Sequence, residues 1–327
     1  MAVIFDALPG LEVPVGEIAQ SLGRMWSDTA AQGGSAPAND DAKATQVNLV
    51  LHLGFRTTAA DALVQFQTAV RFSQRYPSRI LVLCPMVQDS DETDMRAKIY
   101  GECHLGKTKG DARCVEFVLL NYPRTTRIHL EDQVSICLSA DLPLYYWVHR
   151  FSDSTRLADY RYLLSRAKRV LIDSALAPAG TMSYPWPKPA ALRDLVYSRL
   201  LPVRQMIGQF LAGYTPMQLV GGLRTVTITA APELTTEGRV LQAWVQRRLS
   251  ACGGNMAGIE FSGSRGEAGR LGVDFGYADP EHCFHWTGSL TDGHALLEAD
   301  YGTGRNRLPA SVSLLAPENA LGEAMLS

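Results

Sequence analysis

The sequence lacks the features that mark membrane-spanning and secreted proteins. No apolar run approaches the roughly 20 residues that a helix needs to cross a bilayer, and the N-terminus MAVIFDALPGLEVPVGE has no basic region ahead of a hydrophobic one. The 6 cysteines are scattered through 327 residues without paired spacing, which favours reduced thiols over a disulfide framework. We therefore expect a cytoplasmic protein with most of its cysteines in the core.

The chain also has no excess of charge of either sign. Lys and Arg number 31 against 33 for Asp and Glu, a net charge of −2, so nothing indicates a partner surface for nucleic acid or an anionic membrane. With 46% apolar and 20% charged residues, the composition is that of a globular protein long enough for two domains. The expected partner is a metabolite or another protein.

Several motifs of enzymes and cofactor-binding proteins are missing as well. The turn after the first predicted strand reads LGFRTTAAD with the single Gly54, whereas a dinucleotide fold needs several glycines for the backbone to approach a pyrophosphate. The sequence contains no GxSxG, HExxH or CxxC, and GSRGEAGR lacks the Lys-Ser/Thr of a phosphate-binding loop. No cofactor and no catalytic residue are predicted.

One cluster contains residue types that bind metals. His282, Cys283 and His285 lie together in EHCFHW. In an extended strand the two histidines point to opposite faces, and no second cluster completes a tetrahedral set of ligands. We therefore expect no metal site.

From Gln46 onward the pattern is that of an α/β domain. VNLVLHLGF and RILVLCP read as strands on either side of the helix TAADALVQFQTAVRFSQRYP, whose length suits a right-handed parallel crossover. Further on, ADLPLYYWVHR carries large side chains on both of its faces, as in a central strand covered by helices above and below. That strand ends in His149 and Arg150.

The composition shifts along the chain predict four segments. The fold class is α/β: a mixed sheet with flanking helices, followed by a smaller α+β C-terminal domain. The segments are an N-terminal arm and loop over 1–45, the α/β domain over 46–177, the Pro-rich hinge APAGTMSYPWPKP over 178–190, and a long helix plus the α+β domain over 191–327.

The predicted long helix, AALRDLVYSRLLPVRQMIGQFLAG, contains an arginine near the middle of its apolar stripe. Because an unpaired guanidinium in an apolar interface is costly, Arg199 should meet an acid or carbonyls, with Asp173 as the leading candidate. The alternative is that Arg199 lies at the margin of the stripe and reaches water. The first pairing would make an interdomain junction or a partner contact of one rim, comprising Trp147, His149, Arg150, Asp173, Arg199 and Arg204.

Four segments occur in an order and at separations that resemble the OpcA-type glucose-6-phosphate dehydrogenase assembly proteins. They are YPSRILVL, SADLPLYYWV, RVLIDSA and DLVYSRLLPVRQMIGQF, and the resemblance covers about residues 46–214. It implies a non-catalytic protein that promotes assembly or activity of glucose-6-phosphate dehydrogenase in the oxidative pentose phosphate pathway. It also implies possible redox control through cysteines, for which Cys252, before GGN at a predicted helix end, is the candidate by position.

Two other functions remain open. An α/β enzyme would place its site at the carboxyl ends of the strands, where Cys84, His149, Arg150, Asp173 and Ser174 could converge. A sugar-phosphate sensor would bind its ligand at the same rim and pass the signal to a partner. A perturbed titratable group in a pocket at that rim would favour the enzyme.

Overall fold

The computed structural model describes residues 4–32, 46–86, 94–105 and 112–327. The chain divides into two compact units, residues 1–195 with 321–327, and residues 196–320. Among the described residues, no helix combines the length and the apolar character needed to cross a bilayer.

The first unit is built on an eight-stranded mixed sheet. Its spatial order is β1-β4-β5-β3-β2-β6-β7-β8; the neighbours from β5 to β8 pair in parallel, and β4 pairs antiparallel with β1 and β5. The strands are β1 (Leu11–Val13), β2 (Val47–Leu53), β3 (Ser78–Pro85), β4 (Arg96–Leu105), β5 (Ala112–Tyr122), β6 (Leu144–His149), β7 (Arg169–Ile172) and β8 (Leu192–Asp194). The helices between them are α1 (Ile4–Ala7), α2 (Ile18–Ala31), α3 (Ala59–Arg75), α4 (Leu130–Cys137) and α5 (Arg161–Arg166).

Successive side chains of the central strands belong to two different cores, one on each face of the sheet. Val50 and Tyr146 pack with residues of α2, α4 and α5, whereas Leu51 and Tyr145 pack with residues of α1 and α3. β6 lies between β2 and β7, and all of its residues are buried. The prediction that Leu144–Trp147 form a central strand with two covered faces is confirmed.

The second unit contains a six-stranded sheet in the order β10-β9-β11-β12-β13-β14, in which β9 and β10 are parallel and the other neighbours antiparallel. One core cluster joins this sheet to the helices. The strands are β9 (Leu223–Ala230), β10 (Glu260–Arg265), β11 (Arg270–Tyr277), β12 (Cys283–Ser289), β13 (His294–Asp300) and β14 (Asn306–Ser311). The helices are α6 (Leu195–Arg199), whose first residue belongs to the first unit, α7 (Leu201–Leu211), α8 (Pro216–Val220) and α9 (Thr235–Ala251). The predicted fold class, an α/β sheet followed by an α+β region, is confirmed.

The segment predicted as one long helix is instead divided into β8, α6 and α7. Pro202 lies in the first turn of α7, where its missing amide hydrogen has no intrahelical partner to lose, so it starts a new helix rather than continuing the old one. Upstream, β8 pairs in parallel with β7. The hinge segment 178–190 therefore lies inside the first unit, and the units part between Leu195 and Val196.

Both ends of the chain belong to the first unit. β1 adds to the sheet edge beside β4, and α2 buries Ile18, Leu22 and Trp26, so the described part of the predicted N-terminal arm is integrated in the fold. A final helix that the sequence analysis missed, α10 (Pro317–Leu326), contributes Leu321 and Met325 to the same core as α3.

The cysteines correct one expectation. Cys103 and Cys114 face each other across the antiparallel pair β4–β5 and form a disulfide, whereas the sequence predicted reduced thiols throughout. Scattered spacing could not show this pairing, because strand register and not sequence separation brings the two residues together. Of the free cysteines, Cys84 and Cys137 are buried, and Cys252 and Cys283 are partly exposed.

Candidate functional site

The candidate site lies at the carboxyl edge of the first sheet. From β2 the chain passes through α3 to β3, and it later returns to place β6 on the other side of β2. Strand order therefore reverses between β2 and β6. In open α/β sheets such a reversal opens a crevice outside the carboxyl ends of the strands, and ligands bind there.

The ends of β2 and β6 are held in close contact. The Gly54 amide donates to the His149 carbonyl at 2.7 Å, and the Arg56 amide donates to the Arg150 carbonyl at 3.3 Å. A Cβ at position 54 would collide with the Arg150 carbonyl, so the close approach requires glycine. Arg150 itself has φ of +48°, a left-handed conformation that non-glycine residues adopt rarely.

A partly buried cluster of charges lies beside this junction on one face of the sheet. The Asp61 carboxylate in the first turn of α3 lies 2.7 Å from His149 Nε2 and 2.7 Å from Arg150 Nε, and it accepts a hydrogen bond from Gln65 at 3.0 Å. Burial opposes ionisation of Asp61, but His149, Gln65 and Arg150 outweigh that effect and lower its pKa to about 2. Asp61 is therefore anionic at neutral pH.

On the opposite face, His52 joins three tyrosines in a buried chain of hydrogen bonds. Tyr146 Oη lies 2.7 Å from His52 Nδ1, Tyr122 Oη lies 2.7 Å from His52 Nε2, and Tyr122 Oη lies 2.7 Å from Tyr160 Oη. Burial lowers the pKa of His52 to about 3 and raises the pKa of Tyr122 and Tyr146 well above the usual value. All of these groups are therefore neutral at pH 7.

This chain of hydrogen bonds forms part of the floor of a cleft of about 490 Å³. The cleft lies at the ends of β2, β3 and β5 and beside the segment after β6. Arg127 is paired with Asp159 at 2.6 Å. The lining residues include His52, Phe55, Met86, Tyr122, Arg124, Arg127, Phe151, Arg156, Asp159 and Tyr160. The sequence predicts a site at this edge but does not predict these side chains, because most of them lie after the strand ends, in segments without a periodic pattern.

The predicted site residues fall in different surroundings. Trp147 and His149 are buried, with 3% and 2% exposure, and the Arg150 side chain is 36% exposed beside Asp61. The Asp173 carboxylate accepts from the Ala175 amide at 2.9 Å. Whether these four residues contact a partner or the other unit stays a prediction.

Two predicted arginines lie in the second unit. Arg199 meets a carboxylate, as expected. This is Glu237, which the sequence did not predict and which accepts from Arg199 Nε at 2.9 Å and from a terminal guanidinium nitrogen at 2.7 Å. The pairing of Arg199 with Asp173 would join residues of two units and stays a prediction. Arg204 is 8% exposed, and its guanidinium carbon lies 3.6 Å from the ring centre of Tyr197.

The candidate for redox control lies at the end of α9. Cys252 follows the last residue of this helix, and its thiol is free and partly exposed. By contrast, burial raises the pKa of Cys84 to about 12 and that of Cys137 to about 11, which makes both thiols unreactive at neutral pH. A redox role of Cys252 stays a prediction.

Comparison with known proteins gives a match to a family model and similarity to solved structures. Residues 69–183 match the family model described as glucose-6-phosphate dehydrogenase subunit N-terminal domain, of the OpcA assembly type. A solved structure of KijD10, a 3-ketoreductase from Actinomadura kijaniata in complex with TDP-benzene and NADP in an open conformation, aligns with 85% of this chain and 88% of its own at 9% identity and a TM-score of 0.43. No curated protein sequence matches the chain. The family match confirms the resemblance to the OpcA-type assembly proteins for this part of the chain, and it supports involvement in glucose-6-phosphate dehydrogenase assembly.

Proposed function

We propose that this protein is a non-catalytic assembly factor and allosteric activator of glucose-6-phosphate dehydrogenase, the NADP-dependent first enzyme of the oxidative pentose phosphate pathway, and that it acts in the cytoplasm. The observation that carries the proposal is the family match over residues 69–183. These residues include β3 to β7, five of the eight strands of the first sheet.

The first turn of the α/β unit supports a role without a dinucleotide cofactor. A dinucleotide fold places a pyrophosphate at the N-terminus of the helix after its first parallel strand, where free backbone amides attract negative charge. Here Thr58 caps α3 by accepting from the Asp61 amide at 3.2 Å, and the anionic Asp61 side chain occupies the same first turn. A pyrophosphate at this position would meet a carboxylate instead of a free helix end.

The proposed mechanism is linkage between two binding equilibria. A protein that binds the active oligomer of the dehydrogenase more tightly than the inactive form raises the population of the active oligomer. Each tenfold difference in affinity shifts that equilibrium by about 1.4 kcal/mol. No group of this chain needs to touch the substrate of the dehydrogenase for the rate to rise.

The test uses the purified chain and the dehydrogenase of the same organism. We measure NADP reduction and the oligomer distribution by light scattering, with and without saturating amounts of this protein. The expected result is no turnover by the chain alone, co-migration with the dehydrogenase, and either a higher rate or a larger oligomer. Unchanged rate, substrate affinity and oligomer distribution at saturation would rule the function out.

The surface proposed to contact the dehydrogenase is the rim predicted from the sequence. Among its residues in the first unit, Trp147 and His149 are too buried to be reached directly, so the Arg150 guanidinium is the group best placed to contact a partner. Arg150→Gln should therefore weaken co-migration without changing the melting temperature by more than a few degrees. The matched control is Arg161→Gln, an exposed arginine of α5.

A further inference from the structure

The cleft at the carboxyl edge of the first sheet is not used by the proposed function. Its volume of about 490 Å³ lies within the range of small-molecule sites. It also opens at the ends of β2, β3 and β5, beside the point where strand order reverses, which is where α/β sheets bind ligands. Position and size both indicate a ligand site.

The charges of the lining residues indicate an anion. Three arginines and one acid, Asp159, line the cleft, and Asp159 neutralises Arg127 at 2.6 Å. Arg124 and Arg156 are exposed, and neither makes an ion pair with any residue that the structure describes. Two guanidinium groups are therefore free to bind a ligand that carries about two negative charges, which a phosphate monoester does at pH 7 and a single carboxylate does not.

The buried hydrogen-bond chain supplies a neutral donor. His52 is neutral, so one of its ring nitrogens donates and the other accepts. If Nδ1 donated to Tyr146, the Tyr146 hydroxyl hydrogen would be left buried without an acceptor among the described residues, which is costly. In the favoured arrangement Tyr146 donates to Nδ1, Nε2 donates to Tyr122, and Tyr122 donates to Tyr160. The Tyr160 hydroxyl hydrogen is then free to point into the cleft.

The remaining wall suits the carbon skeleton of a ligand. Phe55 is 47% exposed, although a phenyl ring is usually buried, and it lines the cleft together with Met86 and Phe151. A small molecule with a charged end and an uncharged skeleton would cover this apolar surface. Inorganic phosphate would leave it exposed.

We propose that this cleft binds a small organic phosphate monoester, with its phosphate held by Arg124 and Arg156 and one of its oxygens accepting a hydrogen bond from Tyr160. The skeleton lies against Phe55 and Phe151. The chemistry is shared by sugar phosphates and by nucleoside monophosphates, and the proposal is independent of any effect on the dehydrogenase.

The test is isothermal titration of the isolated full chain at low salt with ribose 5-phosphate, AMP, inorganic phosphate and ribose. We expect at least one monoester to bind, about 10-fold or more tighter than inorganic phosphate or ribose. Preference for ribose 5-phosphate would identify a sugar as the skeleton, and preference for AMP a nucleoside. No binding of either monoester at about 10 mM, or equal binding of inorganic phosphate or ribose, would overturn the proposal.

Two variants locate the site. Arg124→Gln with Arg156→Gln should weaken monoester binding by about 10-fold or more, because both side chains are exposed and their loss leaves the fold intact. Tyr160→Phe removes only the hydroxyl and should weaken binding by about 3-fold or more. The control Arg161→Gln, at an arginine that does not line the cleft, should bind like the parent. Unchanged binding by the double variant, with an unchanged melting curve, would place the ligand elsewhere and refute the assignment.

Discussion

The two sheets of this protein bury their side chains differently. In β6 of the first unit every residue is buried, and Tyr145 and Tyr146 belong to opposite cores. In β12 of the second unit, Trp286 is fully buried and the next residue, Thr287, is exposed. The first sheet is parallel at its centre with helices on both faces, and the second is mainly antiparallel with a single core cluster.

The difference shows why the order of apolar and polar residues along a strand can indicate whether one or both faces of its sheet are covered. A parallel strand between two helical layers has no position that faces water, so it reads as a nearly continuous apolar run. A strand with one covered face alternates, because every second side chain meets water. The first pattern also places a buried polar group such as His52 in a site where each of its hydrogen bonds must come from the protein.

The largest expected effect tests this contrast by substituting neighbours in each strand. Tyr145→Ala and Tyr146→Ala should each lower the free energy of unfolding by about 3–5 kcal/mol, since each leaves a large cavity in a core. In β12, Trp286→Ala should cost about as much, whereas Thr287→Ala should cost less than about 1 kcal/mol. Urea unfolding monitored by hydrogen exchange reports each unit separately. A loss in the free energy of unfolding well below about 3 kcal/mol for Tyr145→Ala would show that one face of the first sheet is not a true core.

A smaller effect is expected from the buried ion pair of each unit. Glu116 and Glu237 are each 5% exposed, but Glu116 accepts from both Arg79 and Trp26, at 2.7 and 2.8 Å, whereas Glu237 is held by Arg199. Arg199→Ala should therefore cost about 3 kcal/mol, because it strands a buried carboxylate. Arg79→Ala should cost roughly half of that, because Glu116 keeps its hydrogen bond from the indole.

The apolar double variant Arg199→Met with Glu237→Leu is the control for this second prediction. If the loss in Arg199→Ala comes from the stranded carboxylate, removal of both charges should restore most of the stability. Equal losses in Arg79→Ala and Arg199→Ala, measured by the same urea titration, would contradict the role assigned to Trp26.

Much of the fold could be predicted from the sequence, since it rests on patterns that one strand or helix carries by itself. The two-faced run Leu144–Trp147 predicts a central strand, and α9 ends at Ala251, directly before Cys252, where the sequence predicts a helix end. The features that the sequence did not predict depend on residues elsewhere in the chain. α10 is short, and its apolar residues are explained by the core that they complete beside α3. The Cys103–Cys114 disulfide depends on the register of β4 against β5.

The candidate site was less accessible to prediction. The sequence places polar groups at the carboxyl ends of the strands, and His149 and Arg150 do lie there. It could not show that Asp61, 88 residues before His149, would lie within 2.7 Å of its ring. Nor could it show that His52, in a strand buried on both faces, would join a hydrogen-bond chain with three tyrosines from three other segments. Such contacts follow from the order of the strands in the sheet, which no local pattern encodes.

The smallest expected effect, counted for each pH unit, is a dependence of stability on pH that is tested with one histidine in each unit. His52 is fully buried and its pKa falls from 6.5 to about 3 on folding, whereas the side chain of His285 is 42% exposed beside Asp274. Below pH 6.5 the unfolded chain takes up a proton at His52 that the folded chain does not, so the stability contributed by neutral His52 is present above pH 6.5 and is lost as pH falls towards 3.

The first unit should therefore lose about 1.4 kcal/mol for each pH unit below 6.5. Asp61 does not contribute between pH 6.5 and 4.5: its pKa is lowered to about 2 by His149 against the cost of burial, so it affects stability only as the pH approaches 4 and below. His52→Gln should reduce the slope of the first unit in that window, whatever it does to stability at pH 7, and His285→Gln should leave that slope unchanged. A slope that is the same in His52→Gln and in the parent would show that this histidine is protonated in the folded protein, and that the hydrogen-bond chain to Tyr160 is not neutral.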